Sequence, residues 1–501
     1  MFTDFDRLAM KQALALAERG LETTHPNPRV GCVIAKGDRI IAEGWHERAG
    51  EAHAEVAALR AAKEPVAGAT VYVTLEPCSH HGRTPPCANA LIEARVGRVV
   101  FAVQDPNPSV SGQGADALLR AGIAVEAGLM EAEATELNIG FMKRMKQGLP
   151  WVRVKLAMSL DGRTALANGA SQWITGQAAR DDVQRWRARC SAVMTGVGTV
   201  LADDPQLNVR LGGENRRQPL RVVLDRWLRS PPGAKLFAGG ASGASSVAGA
   251  SGPGGRVLIF TGAQAAAALD SAVAAPASVT AGGEQPPTTI SQAAGVPGSP
   301  GTPPVVAGNA TSAQSPNGAT APAAVPPGVA SPPAPADGSS TADSPAGTVV
   351  HAAMASAAPS GAASVAVPNS APASSTKATP TLDLSAAGLT GRRTALIARG
   401  AQIEELPAEE GFIDLFAVLE RLAKLEVNEV LVEAGATLAG QLLTGFFVDE
   451  LLLYIAPKLL GPQGRPLVNL PELQSLQDAW GFSLFDAKRF GDHLRLRMRP
   501  K

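Results

Sequence analysis

The feature that most constrains the fold is a long tract in the middle of the chain, from about Gln264 to Ser385, dominated by Ala, Pro, Gly and Ser. It carries almost no charge and no aromatic residue. Such a segment buries too little apolar surface to offset its conformational entropy, and its prolines and glycines break helices and strands. We therefore expect a disordered insertion at about 264–385. The alternative, a proline-rich docking segment, is less favoured because no sharp recognition motif stands out.

Residues 1–146 alternate between helix and strand patterns. An amphipathic helix opens the chain, and a hairpin around Lys36-Gly37-Asp38 follows in RVGCVIAKGDRIIAEGWH. Further helices are expected to begin near His53 and at Cys87, and strands are expected in ATVYVTL, RVVFAV and IAVEAG. This alternation predicts a mixed sheet with helices packed on its faces.

Residues 150–501 show the same alternation on both sides of the tract. Strand patterns occur in PWVRVKLAMSLDGRTA, AVMTGVGTVLADDP, LRVVLD and RVLIFTG before it, and in AQIEELP, EVLVEAGATLAGQLL and ELLLYIAPKLLG after it. The sequence thus predicts a second α/β domain. The insertion interrupts it at a loop, where added length costs little stability.

Charge and cysteine content argue against several classes of protein. Lys and Arg together number 45, as do Asp and Glu, so the chain lacks the basic excess typical of proteins that bind nucleic acid or a membrane surface. No uninterrupted apolar stretch is long enough for a membrane span, and the acidic start does not look like a signal peptide. Four cysteines in 501 residues do not form a disulfide framework. We expect a cytoplasmic protein with no nucleic-acid or membrane partner.

Four residues of the first domain form a pattern that suits zinc. The stretch HAEVAA contains His53 and Glu55, and Cys78 and Cys87 each follow a proline. One His and two Cys leave zinc an open position for water, and Glu55 is then a spare carboxylate that can move protons. Taken alone, the histidine is more readily a surface residue and each cysteine a buried core thiol. We also interpret Cys32 as a core thiol. The combination favours a zinc site.

The spacing also restricts where the metal lies. Residues two apart on a helix point to different sides, so His53 and Glu55 both face zinc only at the start of a helix. The two prolines before Cys87 likewise indicate a helix start, where the dipole favours a thiolate.

This combination resembles the signature of zinc-dependent nucleobase deaminases, in which zinc activates water and the Glu relays protons. Eight residues, SHHGRTPP, separate the cysteines here, whereas the common form has two. That spacing, with HPNPRVGCVI and DPNP, looks like the deaminase domain of the bifunctional riboflavin-biosynthesis deaminase–reductase family. The resemblance implies a cytidine-deaminase-like fold and a diaminopyrimidinone ribosylamino 5′-phosphate substrate. Asn27 matches a position that contacts the ring. His80, His81 and Arg83 are candidates for the phosphate, with a solvated basic loop as the alternative.

The second domain lacks a G-x-G-x-x-G run after a strand, so a Rossmann cofactor site is not supported. In EVLVEAGATLAGQLL, a hydrophobic strand ends at Glu433, and Gly435, Ala436 and Thr437 lead into a helix. Small residues at such a turn expose N–H groups where the helix dipole favours phosphate. Many strand-to-helix turns look the same, so this signal is weak by itself.

The resemblance strengthens the signal. The stretches VKLAMSLDGRTA, SQWITG, GTVLADDPQLNVR and EAGATLAG occur in the order found in the reductase domain of the same family. It implies a dihydrofolate-reductase-like fold and hydride transfer from NADPH to C1′ of the ribose. By resemblance, the residues that contact NADPH are Ala157, Trp173, Thr199, Asp203, Gly435, Ala436, Thr437, Leu438, Ala439, Gly440 and Gln441. Those that contact the substrate are Ser171, Arg187, Leu207, Arg210 and Glu433.

Two ionisable residues, Lys155 and Asp203, are candidates for substrate activation. For Trp173, the alternative to a cofactor contact is core packing beside Ile174. The expected protein is thus a homo-oligomeric enzyme that uses Zn²⁺ and NADPH on a small molecule. Two rivals are a zinc hydrolase with a non-catalytic dimerisation module and a zinc-stabilised binding protein. A tRNA or free-base deaminase would leave the second domain unexplained.

Overall fold

The computed structural model describes residues 1–79, 86–108, 110–212, 217–238, 255–262, 385–409 and 411–501. The predicted disordered insertion at about 264–385, apart from its last residue, lies outside the described residues, as do His80, His81 and Arg83. No helix in the described ranges is both long and apolar enough to cross a membrane.

The N-terminal part is built on one mixed sheet with the strand order β2-β1-β3-β4-β5. Strand β1 pairs antiparallel with β2 and β3, and β3, β4 and β5 run parallel. This confirms the mixed sheet that the sequence predicts. The elements in chain order are α1 (Asp4–Glu18), β1 (Gly31–Lys36), β2 (Arg39–Trp45), α2 (Ala54–Ala61), β3 (Thr70–Val73), α3 (Cys87–Glu93), β4 (Arg98–Phe101), α4 (Gln113–Arg120), β5 (Ala124–Ala127), α5 (Glu131–Leu137) and α6 (Ile139–Gln147).

One buried carboxylate joins the loops at the carboxyl edge of this sheet. Glu76, which follows β3, accepts hydrogen bonds from the backbone N–H groups of Asp105, Gly112, Gly114 and Ala115 at 3.0–3.2 Å. It thereby ties the loop that carries Cys78 to the loop after β4 and to the start of α4. A buried carboxylate is stable only when such donors satisfy it, so this contact fixes the position of the loop after β3.

The C-terminal part is built on a larger sheet with the strand order β11-β10-β9-β8-β14-β6-β15-β18-β17. All of these strands are parallel to their neighbours except the hairpin β17–β18, which joins the edge of β15 antiparallel. The elements are β6 (Trp151–Ser159), β7 (Arg163–Ala165), α7 (Gln177–Arg189), β8 (Ala192–Gly196), α8 (Val197–Asp203), β9 (Leu220–Leu224), β10 (Val257–Gly262), α9 (Ala386–Ala398), β11 (Ala401–Leu406), β12 (Ala408–Glu409), β13 (Phe412–Ile413), α10 (Leu415–Lys424), β14 (Glu429–Glu433), α11 (Ala436–Thr444), β15 (Glu450–Ala456), β16 (Arg465–Pro466), β17 (Phe482–Phe490) and β18 (His493–Pro500).

The larger sheet explains where a long insertion is tolerated. The tract falls between β10 and α9, within the crossover that leads to the edge strand β11. An insertion there leaves the pairing of the central strands unchanged. Every strand that the sequence predicts is present, whereas the hairpin β17–β18 was not predicted. The α/β class with two separate sheets is therefore confirmed.

Candidate active sites

The side chains of His53, Cys78 and Cys87 come together beside the N-terminal sheet. His53 Nδ1 lies 3.0 Å from Cys87 Sγ and 3.6 Å from Cys78 Sγ, and the three candidate ligand atoms lie within 4.8 Å of one another. A tetrahedral zinc with bonds of about 2.0–2.3 Å holds such atoms about 3.5–3.8 Å apart. The three side chains thus fit one zinc ion. No other such group occurs in the part of the chain that the structure describes.

Two helix N-termini bring the three ligands together, as the spacing predicts. His53 is the N-cap residue of α2, with extended backbone, and its ring contacts the two cysteine sulfurs and does not cap the helix. Cys87 is the first residue of α3, directly after the N-cap Pro86. Its N–H donates to Cys78 Sγ at 3.3 Å. Both helix dipoles therefore favour negative charge on the sulfurs.

A hydrogen bond between the two thiols shifts their pKa values in opposite directions. The hydrogen bond with the Cys87 thiol lowers the pKa of Cys78 to about 4, in spite of burial. The same bond, together with burial, raises the pKa of Cys87. A soft, anionic pair of sulfurs next to an imidazole is the donor set that zinc prefers.

Glu55 lies in the first turn of α2, close to the same cluster. Its side chain is buried, and it hydrogen-bonds to the Cys87 thiol. Burial, and then the charge of Cys78, raise the pKa of Glu55 to about 7. A carboxyl group with a pKa near neutrality both accepts and donates protons readily. The predicted convergence of His53 and Glu55 at a helix start is thus present.

Asn27 is connected to this site by His46, a residue that no sequence motif indicates. His46, at the end of β2, is 3% exposed and packs edge-on against the His53 ring, with 5.4 Å between ring centroids. His46 Nδ1 lies 3.0 Å from the Ala52 carbonyl oxygen, so it donates there, and His46 Nε2 accepts from Asn27 Nδ2 at 3.0 Å. A single histidine after a strand belongs to no motif of fixed spacing, so the sequence alone does not indicate a role for it. Cys32 is buried in the hydrophobic core and belongs to no metal group.

A second site lies at the carboxyl ends of the parallel strands of the larger sheet. A cavity of about 1180 Å³ opens there, lined by Lys155 of β6, Glu433 of β14, Gly196 of β8 and Leu224 of β9. Parallel α/β sheets bind ligands at this edge, where strand ends and helix N-termini meet.

Charged side chains are concentrated on one wall of this cavity. Arg187 of α7 holds Glu433 with two hydrogen bonds, at 2.5 and 3.0 Å, and Lys155 is the register partner of Glu433 on the neighbouring strand. Burial, aided by Arg187, lowers the pKa of Lys155. Burial acts to raise the pKa of Glu433, but Arg187 outweighs it and the pKa is lowered. The Ser171 hydroxyl donates to Asp203 at 3.3 Å.

The turn between β14 and α11, which we call the cofactor turn, leads from a strand into a helix N-terminus at Gly435, as the sequence predicts. Gly435 is the N-cap residue of α11, and a Cβ added there would meet no heavy atom within 4 Å. The first N–H groups of a helix have no acceptor within it, so this turn offers donors to a phosphate. Trp173 is 64% exposed, with the Arg180 guanidinium 4.6 Å from its ring centroid, which excludes the alternative of core packing.

All residues carried over to the reductase site line the cavity except Ala439 and Gly440. Ala439 is fully buried in the hydrophobic core, and its N–H donates to the Gly435 carbonyl. A Cβ on Gly440 would lie 1.9 Å from the Asn469 carbonyl oxygen. These two residues do not line the cavity, and their contact with the cofactor stays a prediction. Arg226 and Phe412 also line the cavity, and no sequence motif indicates this.

Comparison with known proteins identifies relatives for both parts of the chain. Residues 3–103 match the model of the cytidine and deoxycytidylate deaminase zinc-binding region, and residues 150–248 and 374–491 match that of the RibD C-terminal domain. The riboflavin biosynthesis protein RibD of Escherichia coli K12 is 37% identical over 504 residues, covering 98% of this chain and 99% of its own. RibD of Haemophilus influenzae is 53% identical over 247 residues, covering 47% of this chain and 66% of its own.

Two solved structures resemble the whole chain. Form 1 of Acinetobacter baumannii RibD has a TM-score of 0.67 and 34% identity, covering 99% of both chains. A Thermotoga maritima protein described as a diaminohydroxyphosphoribosylaminopyrimidine deaminase/5-amino-6-(5-phosphoribosylamino)uracil reductase has a TM-score of 0.63 and 25% identity, with the same coverage.

The assignment of Cys87 as a zinc ligand can be tested by substitution, with Cys32 as a matched control. The Cys87→Ala variant is expected to bind zinc at least about tenfold more weakly, because loss of even the outer partners of a ligand costs about 10–100-fold. Cys32→Ala removes a buried thiol of the same domain that lies outside the cluster and should keep its zinc. Elemental analysis after dialysis against a chelator measures the difference. Equal zinc content in the two variants would show that Cys87 is not a ligand.

Proposed function

This chain belongs to the RibD family of riboflavin biosynthesis proteins, and we propose that its two sites act in turn on one phosphoribosylaminopyrimidine. It is a bifunctional enzyme, a zinc-dependent deaminase and an NADPH-dependent reductase. The first site would remove the 2-amino group of 2,5-diamino-6-(5-phosphoribosylamino)pyrimidin-4(3H)-one by hydrolysis. The second would reduce the ribosyl side chain to ribityl. The observation that carries this proposal is the presence, in one chain, of a three-ligand cluster beside a buried glutamate and of a separate cavity with a phosphate-binding turn.

In the deaminase site, we assign His53, Cys78 and Cys87 as the zinc ligands. Zinc, when bound, supplies a Lewis acid that lowers the pKa of a water molecule. Hydrolytic deamination requires a proton to leave that water and protons to reach the ring nitrogen and the departing amino group. Glu55 is the proton carrier in this assignment, since it is buried beside the ligands and makes no ion pair among the described residues. Asn27 is assigned to orient the pyrimidine ring, and its hydrogen bond with His46 supports this role.

In the reductase site, bound NADPH would supply a hydride for C1′ of the ribose. Reduction at C1′ breaks the bond to the ring oxygen, which must then gain a proton. Lys155 is our candidate for the proton donor, because it is a half-buried amine that lines the cavity beside Glu433. Asp203, which accepts from Ser171, is the second group assigned to substrate activation.

The remaining contacts follow from the cavity lining. The proposed cofactor residues are Ala157, Trp173, Thr199, Asp203, Gly435, Ala436, Thr437, Leu438 and Gln441. The proposed substrate residues are Ser171, Arg187, Leu207, Arg210 and Glu433. Arg210 is the candidate for the substrate phosphate, since its guanidinium hydrogen-bonds only to the neutral side chains of Gln206 and Asn208 among the described residues.

We also propose the division of the chain into a deaminase domain, 1–146, and a reductase domain, 150–501, interrupted at about 264–385. Limited proteolysis with mass analysis of the fragments tests these boundaries. We also propose a cytoplasmic location, in keeping with the four free cysteines, and cell fractionation tests it.

A homo-oligomer is a further part of this proposal. Strand β17 ends the larger sheet and exposes Leu484 and Phe485, at 61% and 48%. Exposed apolar side chains on an edge strand favour pairing with another chain. Sedimentation equilibrium should therefore give a mass above that of one chain, and Leu484→Glu should lower it. A mass of one chain at all concentrations would contradict the proposal.

The proton carrier can be tested by one substitution. Glu55→Gln keeps the shape of the side chain and removes only its ability to exchange protons, so zinc content should be unchanged and deamination should fall by about 10²-fold or more. Reduction of the deaminated substrate should proceed at the normal rate. Glu51→Gln, on the exposed loop before α2, is the matched control. Near-normal deamination by Glu55→Gln would remove Glu55 from the mechanism.

The cofactor turn can be tested by adding first a methyl group and then a charge. Because a Cβ at residue 435 meets open space, Gly435→Ala should change the KM for NADPH little. Gly435→Asp places a carboxylate that competes with phosphate for the helix N-terminus, and we expect the KM to rise by about tenfold or more. Deamination should continue, and the unreduced product should accumulate. A similar KM in both variants would show that no phosphate binds at this turn.

A further inference from the structure

The loop between α1 and β1 contacts the candidate deaminase site on one side and the C-terminal sheet on the other. On one side, Asn27 hydrogen-bonds to His46, which packs against the candidate zinc ligand His53. On the other side, the same loop touches residues of the C-terminal sheet. These belong to a group that we call the interface cluster, composed of Arg29, Arg189, Ser191, Asn428 and Glu429.

Four hydrogen bonds attach the loop to the interface cluster, and one of them runs from Arg29 Nη2 to the Arg189 carbonyl oxygen at 3.3 Å. Asn428 Nδ2 donates to the Pro26 carbonyl at 2.9 Å, and Arg29 Nη1 donates to Glu429 Oε1 at 2.7 Å. His25 Nδ1 lies 2.9 Å from Ser191 Oγ. Since that oxygen already accepts the N–H groups of Asn428 and Glu429, its own proton is directed to the histidine.

The centre of the interface cluster is a buried charge. Glu429 is fully buried, and three arginines hold it: Arg29 at Oε1, and Arg153 and Arg189 at Oε2, at 2.9 and 3.2 Å. Burial acts to raise the pKa of Glu429, but the three guanidinium groups outweigh it and keep the pKa well below its ordinary value. Removal of one partner from such a group leaves a buried charge partly uncompensated.

One strand and one helix connect the interface cluster to the reductase cavity. Glu429 begins β14 and Glu433 ends it, about 13 Å away on the same face of the strand. Arg189 and Arg187 lie in the last turn of α7. Two ion pairs thus join the same helix to the same strand: Arg189–Glu429 at the interface and Arg187–Glu433 in the cavity. A shift of the first pair displaces the strand and helix that carry the second.

We propose that Arg29 is a positioning residue for both active sites. Supplied by the deaminase part of the chain, it fixes Glu429 and, through β14 and α7, the Arg187–Glu433 pair of the reductase site. It also holds the loop that presents Asn27 to the deaminase site. This inference rests on the function proposed above, because it assigns the two ends of the network to the two reactions.

The test compares Arg29→Met, which keeps the length of the side chain without its donors, with Arg29→Lys, which restores one donor and the charge. Steady-state kinetics are measured with the deaminated substrate and NADPH, and separately with the diaminopyrimidinone phosphate. A misplacement of about 1 Å can cost about 10²-fold in rate. We expect Arg29→Met to lower the reductase kcat at least about tenfold and to leave the KM for NADPH within about twofold. Binding of NADPH tolerates a small displacement better than the reaction does, because only the reaction requires the reacting atoms to be in near-attack geometry. Arg29→Lys should recover part of the rate.

Glu136→Gln is the matched control. It breaks ion pairs between α5 and the arginines of β18, which also join the N-terminal part to the larger sheet but do not contact the α1–β1 loop. Both activities should stay near normal in this variant. If Arg29→Met does not fold, Ser191→Ala replaces it, with a loss of about threefold or more in the same reductase kcat expected from a single hydrogen-bonding group.

Each outcome decides between distinct claims. Unchanged reductase kcat in a folded, zinc-loaded Arg29→Met protein, or an equal loss in Glu136→Gln, overturns the positioning role alone. A parallel rise in the KM for NADPH overturns it as well, because it indicates general loosening of the domain. Lack of both activities in the unaltered protein would instead overturn the proposed function.

Discussion

A single buried carboxylate, that of Glu429, organises the centre of the molecule. A charge without access to water is tolerated only when paired, and three arginines from distant parts of the sequence meet that requirement. Arg29 comes from the loop before β1, Arg153 from β6 and Arg189 from the end of α7. Their convergence fixes the central strands of the larger sheet against the N-terminal part. The two candidate sites are then held at opposite ends of the same network.

Both sites use the same physical arrangement on different sheets. In each, parallel strands end at one edge and helix N-termini point toward the ligand. His53 and Cys87 stand at the starts of α2 and α3, and Gly435 stands at the start of α11. Helix dipoles favour negative charge at these positions, which suits thiolates in one site and phosphate in the other. The chemistry differs because of the side chains at each edge. The edge of the smaller sheet carries one histidine and two cysteines, whereas the edge of the larger sheet borders a large cavity that contains an arginine–glutamate ion pair.

The sequence was informative where short-range rules apply. Proline before Cys87 and the two-residue spacing of His53 and Glu55 each restrict the ligands to a helix start, and the structure has them there. The run from Gly435 to Gln441 shows a limit of carrying residues over as a block. Helical periodicity places the Ala439 side chain in the hydrophobic core, whereas the residues from Gly435 to Leu438 and Gln441 line the cavity. The Arg29–Glu429 pair spans 400 positions, and no local pattern indicates such a contact.

The most direct test of the bifunctional assignment follows the products of one purified protein by mass. The zinc-loaded enzyme is incubated with the diaminopyrimidinone phosphate, and NADPH is added only after the first reaction is complete. Before the addition, we expect a product in which one amino group has been replaced by oxygen, with release of ammonia. After the addition, this product should gain two hydrogens while NADPH is oxidised in equal amount. No deaminated product before NADPH is added, or no further change after it, would contradict the assignment of two successive activities to this chain.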